Sequence, residues 1–93
     1  MAVKTLQITQ TGSAVQLSTT SIFARWVILQ NTAAAAMRLG DSAVTTSKGM
    51  SLAATGAPYI LQPMPDGSHY DLSQWYTIGT NTQLIDVVYD SMN

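Results

Sequence analysis

Apolar and polar residues alternate over several short segments of the chain, and this alternation predicts β-strands. In residues 3–9, Leu6 and Ile8 fall on one face, and the residues between and beside them are polar. A period of two is typical of a strand that buries one face. The segment therefore predicts a half-buried strand near the start of the chain.

The last predicted strand, residues 83–89, follows the same rule near the other end of the chain. Its alternation places Ile85, Val87 and Tyr89 toward the core. Asp86 and Asp90 fall on the opposite face and are expected to contact water.

Residues 23–30 form the strongest predicted strand, and this strand is apolar on both faces. Val27 and Leu29 point to one side, and Trp26 and Ile28 point to the other. One side belongs to the core, so the other needs a second cover, either a loop or a neighbouring subunit.

Residues typical of turns separate these segments about every ten residues along the chain. Weaker strands are predicted at residues 14–17, 37–40, 43–46, 49–52, 59–62 and 76–80, with a one-turn helix at 72–75. This spacing of strands favours an all-β sandwich or barrel. We predict a single domain over residues 1–93, an all-β, compact two-sheet sandwich of about eight short strands, jelly-roll-like.

The composition is low in charge, which excludes some partners and favours others. Charged residues make up 10% of the chain, hydrophobic residues make up 46%, and the net charge is −1. No basic patch is available for nucleic acid, and no basic amphipathic helix is available for a membrane surface. A surface rich in Ser and Thr is one explanation of the low charge. Coverage of the surface by other protein is the explanation that we favour.

The titratable residues do not form a catalytic set. His69 is the only histidine, and Ser68 and Asp71 lie beside it in one local loop instead of converging from separate elements. The chain has no cysteine, and its Asp residues lack the spacing of a calcium loop. We therefore expect no enzymatic activity, no cofactor and no metal site, and we interpret the Asp residues in the loops as turn formers.

Aromatic and apolar side chains are the candidates for contact with another protein. The candidates are Trp26, Ile28, Tyr59, Tyr70 and Trp75. Trp75 is out of phase with Tyr76 and Ile78, so we predict that it is an interface anchor and not a core residue. An exposed aromatic side chain could equally stack on a sugar.

Two sequence blocks resemble the small accessory virion proteins of tailed bacteriophages. The first carries R-x-G-D-S-x-V and K-G-x-x-L within residues 38–52, and the second is Y-D-L-S-x-x-Y-x-I-G-T at residues 70–80. A hydrophobic strand follows, so the resemblance covers about residues 24–89.

The resemblance implies a virion protein, assembled in the host cytoplasm, that acts as a capsid cement or decoration subunit. Its expected partners are the major capsid protein or another virion protein, and copies of itself in a dimer or trimer. A tail, baseplate or fibre module and a carbohydrate- or receptor-binding β-sandwich remain the alternatives.

Overall fold

Nearly all the regular structure of the chain is β-strand in the computed structural model, which describes residues 2–56 and 58–92. The strands are β1 (Ala2–Thr9), β2 (Val15–Gln16), β3 (Phe23–Asn31), β4 (Met37–Gly40), β5 (Met50–Leu52), β6 (Tyr59–Leu61), β7 (Tyr70–Asp71), β8 (Tyr76–Ile78) and β9 (Leu84–Ser91). A 3-10 turn spans Leu72–Gln74, where a one-turn helix was predicted. The prediction of an all-β chain is confirmed.

The strands form two antiparallel sheets with a nested order of pairing. Sheet I has the order β1-β9-β3-β6, with β7 also paired to β3, and sheet II has the order β2-β8-β4-β5. The first strand therefore pairs with the last, β2 pairs with β8, β3 pairs with β6 and β7, and β4 pairs with β5. The chain is in effect one long antiparallel hairpin rolled into two sheets, which is the jelly-roll arrangement. The predicted two-sheet sandwich is confirmed, and the short strand β7 was not predicted.

The core lies between the inner faces of the two sheets. Val27 and Leu29 on β3 are almost fully buried, as are Ile85, Val87 and Tyr89 on β9. Sheet II contributes three further buried side chains to the same cluster, which are Met37, Leu39 and Leu52. Full burial of each such side chain stabilises the fold by about 1.5–3 kcal/mol. The inward face predicted for β9 is confirmed, and of the two apolar faces of β3 the one with Val27 and Leu29 is the inner face.

The segment between β4 and β5 does not contain the strand predicted at residues 43–46. Val44 is buried, but its backbone N–H donates to the carbonyl oxygen of Asp41 at 3.0 Å, which closes a turn. Thr45 and Lys48 then form an isolated bridge. Val44 is therefore a buried turn residue at the end of the β4–β5 hairpin and not part of a strand.

Two buried polar side chains connect the sheets. Gln10 follows β1 of sheet I, Thr77 lies in β8 of sheet II, and both are fully buried. Nε2 of Gln10 donates to Oγ1 of Thr77 at 2.9 Å, and the hydroxyl of Thr77 is 3.3 Å from Oε1 of Gln10. A buried polar group that loses its partner costs about 1–3 kcal/mol, so each residue depends on the other.

We expect Thr77→Val to lower the free energy of unfolding by about 1–3 kcal/mol, because the Gln10 amide then lacks its buried partner. Gln10→Leu should have a similar effect. The double variant should lose clearly less than the sum of the two single variants, since no orphaned group remains. Urea unfolding of all four proteins tests this coupling. Additive losses would contradict it.

A second expected outcome concerns Asp71, which caps the 3-10 turn. The hydroxyl of Ser73, at 2.8 Å, and its backbone N–H, at 3.0 Å, donate to Oδ1 and hold the pKa of the Asp71 carboxyl below its ordinary value of 3.8. A carboxyl whose pKa is lower in the folded chain contributes stability above its unfolded pKa, and that contribution is lost as the pH falls through the folded pKa.

Asp71→Asn should therefore lower the free energy of unfolding near neutral pH, and its difference from the unchanged chain should shrink below about pH 4. Chemical unfolding across this pH range measures the difference. In a Ser73→Ala background the pH-dependent part should be smaller. A difference that stays constant with pH would show that the capping charge contributes nothing.

Candidate interaction surface

The outer face of sheet I carries a row of apolar side chains that crosses neighbouring strands. The strand register aligns Ile60 on β6 with Ile28 on β3, Ile28 with Val88 on β9, and Val88 with Thr5 on β1. These positions alternate with the buried inner residues, so their side chains point away from the core. Ile60 is 47% exposed, and Ile28 and Val88 are half-buried.

A second row extends the apolar surface toward the start of β1. Trp26 precedes the inward-facing Val27 and is half-buried on the outer face, while Val3 on β1 is 63% exposed. We call the surface formed by Val3, Trp26, Ile28, Ile60 and Val88 the outer patch.

The outer patch ends at a polar row on the side of Gln30. This residue aligns with Asp86 on β9, and Asp86 aligns with Gln7 on β1. Nε2 of Gln7 donates to Oδ1 of Asp86 at 3.0 Å. An apolar centre beside a polar margin is the composition of a protein interface.

The structure separates the five predicted interface residues into two groups. Trp26 and Ile28 lie together in the outer patch. Tyr59, Tyr70 and Trp75 are half-buried and pack against the core cluster. The structure thus brings only the first two together, and an interface role for each of the five stays a prediction.

Sequence reasoning missed the other members of the outer patch. Ile60 lies between the inward-facing Tyr59 and Leu61, so alternation within this short segment was a usable signal. Val88 stands between Val87 and Tyr89 in the same way. Their alignment with Ile28 depends on strand register between distant segments, which no local pattern reveals.

Asp90 is the exception to the alternation of β9, and its predicted contact with water is wrong. Its side chain is fully buried, and neither carboxylate oxygen has a hydrogen-bond partner. The register of β3 shifts at this point, so that Arg25 and Trp26 together face Asp90 across the pair. Two residues opposite one form a β-bulge, which crowds extra side chains onto the single residue. Crowding at this bulge is the physical reason for the burial of Asp90.

The described residues contain neither a group of metal ligands nor a membrane-spanning helix. Among residues 2–56 and 58–92, no group of three His, Cys, Asp or Glu side chains is arranged to hold a metal ion. Within the same residues, no helix has the length and apolar character needed to cross a bilayer. Comparison of the chain with protein-family models, curated protein sequences and solved structures gives no match.

Replacement of the buried carboxylate should stabilise the isolated protein. Asp90→Val removes a polar group without a partner and places a β-branched side chain beside the apolar outer patch. We expect the free energy of unfolding to rise by about 1–3 kcal/mol, measured by urea unfolding. Asp86→Val, on the same face of the same strand, is the matched control and should give no gain, because Asp86 accepts a hydrogen bond from Gln7. A loss of stability in Asp90→Val would contradict this interpretation.

Proposed function

We propose that the chain is a structural protein of a bacteriophage virion, a capsid cement or decoration subunit that stabilises the shell by packing against other protein. The observation that carries the proposal is the outer patch. A group of apolar side chains on the outer face of a sheet favours contact with another protein. Only 10% of the residues are charged, which leaves few groups to keep such a face in water.

The jelly-roll architecture agrees with this role but does not define it. The same architecture occurs in viral capsid domains and in lectins, and a fold alone does not determine a function. The resemblance of residues 38–52 and 70–80 to virion accessory proteins adds independent support. The shell protein and further copies of the chain are the proposed partners.

The face of sheet I is a better contact surface than its edges. Lys4 on the edge strand β1 shares the inward-facing register of Leu6 and Ile8, yet it is exposed. A charge at such a position discourages pairing with another strand. The opposite edge strand, β6, has three residues and is followed after Gln62 by Pro63, which cannot donate a backbone hydrogen bond. Contact through the outer patch avoids both obstacles.

In the proposed mechanism, each subunit covers apolar surface at a junction between shell proteins. Each contact is modest, but repetition around a symmetric shell multiplies the effect. Because apolar packing dominates and few charges are present, occupancy should change little between low and high salt. Strong dependence on salt would indicate electrostatic attachment instead.

Ile60→Lys tests the proposal directly, because it places a charge in the outer patch at a residue that is exposed enough to tolerate it. We expect attachment to capsids and self-association to weaken about tenfold or more, equivalent to about 1.4 kcal/mol. Binding to purified capsids and sedimentation velocity measure the two effects.

Met50→Lys is the matched control for this substitution. Met50 is 50% exposed on β5 of sheet II, so the same charge is introduced at a similar exposure on the other sheet. Both variants should unfold at the temperature of the unchanged chain. Equal loss of binding in the two variants, or no loss in either, would contradict a contact through the outer patch.

A further inference from the structure

A shallow groove lies at the end of the sandwich where β4 ends and the 3-10 turn leads into β8. It is lined by Gly40, Asp41, Gln74 and Trp75 and has a volume of about 410 Å³. Gly40 is paired with Tyr76, so Asp41 and Trp75 are adjacent just beyond the last pair of the two strands. The outer patch is on sheet I, so the groove is a separate surface feature.

Trp75 lines this groove, and contacts with the rest of the fold hold its side chain in place. Its ring packs against the core cluster and contacts the ring of Tyr70 edge-to-face, with the centroids 6.0 Å apart. Its carbonyl oxygen accepts from the N–H of Leu17 at 2.9 Å. The residue is half-buried and lines the groove.

Two polar side chains flank the ring. Oδ1 of Asp41 accepts from the backbone N–H of Ala43 at 2.9 Å, which fixes the carboxylate and leaves Oδ2 as an acceptor. Gln74 is exposed and supplies an amide donor and an amide acceptor. A rigid apolar surface with a few placed polar groups is the composition of a small-ligand site.

The chemistry of this lining selects among possible ligands. No lysine or arginine lines the groove, and the Asp41 carboxylate would repel a phosphate. A nucleotide therefore lacks the cation that its phosphate requires, although its base could stack on Trp75. A pyranose ring offers a C–H face that fits an aromatic surface and hydroxyl groups that pair with a carboxylate and an amide.

We propose that this groove binds a neutral pyranose sugar, with the sugar ring stacked on Trp75 and its hydroxyl groups bonded to Asp41 and Gln74. The proposal does not depend on the virion role of the outer patch. A single open groove with one aromatic wall favours weak binding, in the millimolar range, that would gain strength through repeated copies.

Nuclear magnetic resonance of the full chain tests the proposal with a set of probes. The probes are the methyl pyranosides of glucose, galactose, mannose, rhamnose and N-acetylglucosamine, with adenosine monophosphate as the competing class. The indole N–H signal of Trp75 reports the groove, and that of Trp26 in the outer patch is the internal control. At least one pyranoside should shift the Trp75 signal in a saturable manner and leave the Trp26 signal unchanged.

Variants of the exposed groove residues complete the test without disturbing the core. Asp41→Asn and Gln74→Ala should each weaken sugar binding about fivefold or more at an unchanged melting temperature, because each loses a hydrogen bond to the ligand. Gln62→Ala, another exposed glutamine outside the groove, should bind as the unchanged chain does. The proposal is overturned if no pyranoside shifts Trp75, if both groove variants bind normally, or if adenosine monophosphate alone binds.

Discussion

The antiparallel pairing of β3 with β9 is the interaction on which the rest of the structure depends. These strands occupy the centre of sheet I, and their inner faces supply Val27, Leu29, Val87 and Tyr89 to the core. The same pairing aligns Ile28 with Val88 on the outer face. Because side chains alternate along a strand, one register determines both the core and the outer patch, and a slip of one residue would exchange them.

The β-bulge in this pairing adds a local constraint. It puts Arg25 and Trp26 opposite Asp90 and encloses a carboxylate that has no hydrogen-bond partner. Such a group opposes folding, so the apolar contacts around it must compensate. The bulge therefore places the ring of Trp26 and a carboxyl group without a hydrogen-bond partner at one point of sheet I.

Local patterns were sufficient to predict most of the strands but not their arrangement. The alternating segments of β1 and β9 are long enough to show which side chains face the core, and these faces were predicted correctly. The pattern of β3 is apolar on both faces, so it did not show which face is the inner one. Val44 misled because a single buried apolar residue in a turn looks like part of a strand. The burial of Asp90 depends on a bulge in a distant strand, so nothing in its own segment could indicate it.

The candidate surface was only half visible for the same reason. The alternation of β3 correctly placed Trp26 and Ile28 on the face opposite Val27 and Leu29, but it did not show which of the two faces is the outer one. Ile60 and Val88 join them only through pairings between remote segments. The phase of Trp75 relative to Tyr76 suggested an exposed side chain. In the structure its ring packs against the core cluster, and the residue also lines the groove.

The central claim is that the outer patch is covered by protein in the assembled particle. High-resolution electron microscopy of phage particles purified from lysates of cells that produce this chain tests the proposal. We expect density for the jelly roll on the shell, with Ile28, Ile60 and Val88 in contact with a neighbouring protein. A chain that is absent from the virion, or one whose outer patch faces solvent while other surfaces make the contacts, would contradict the account.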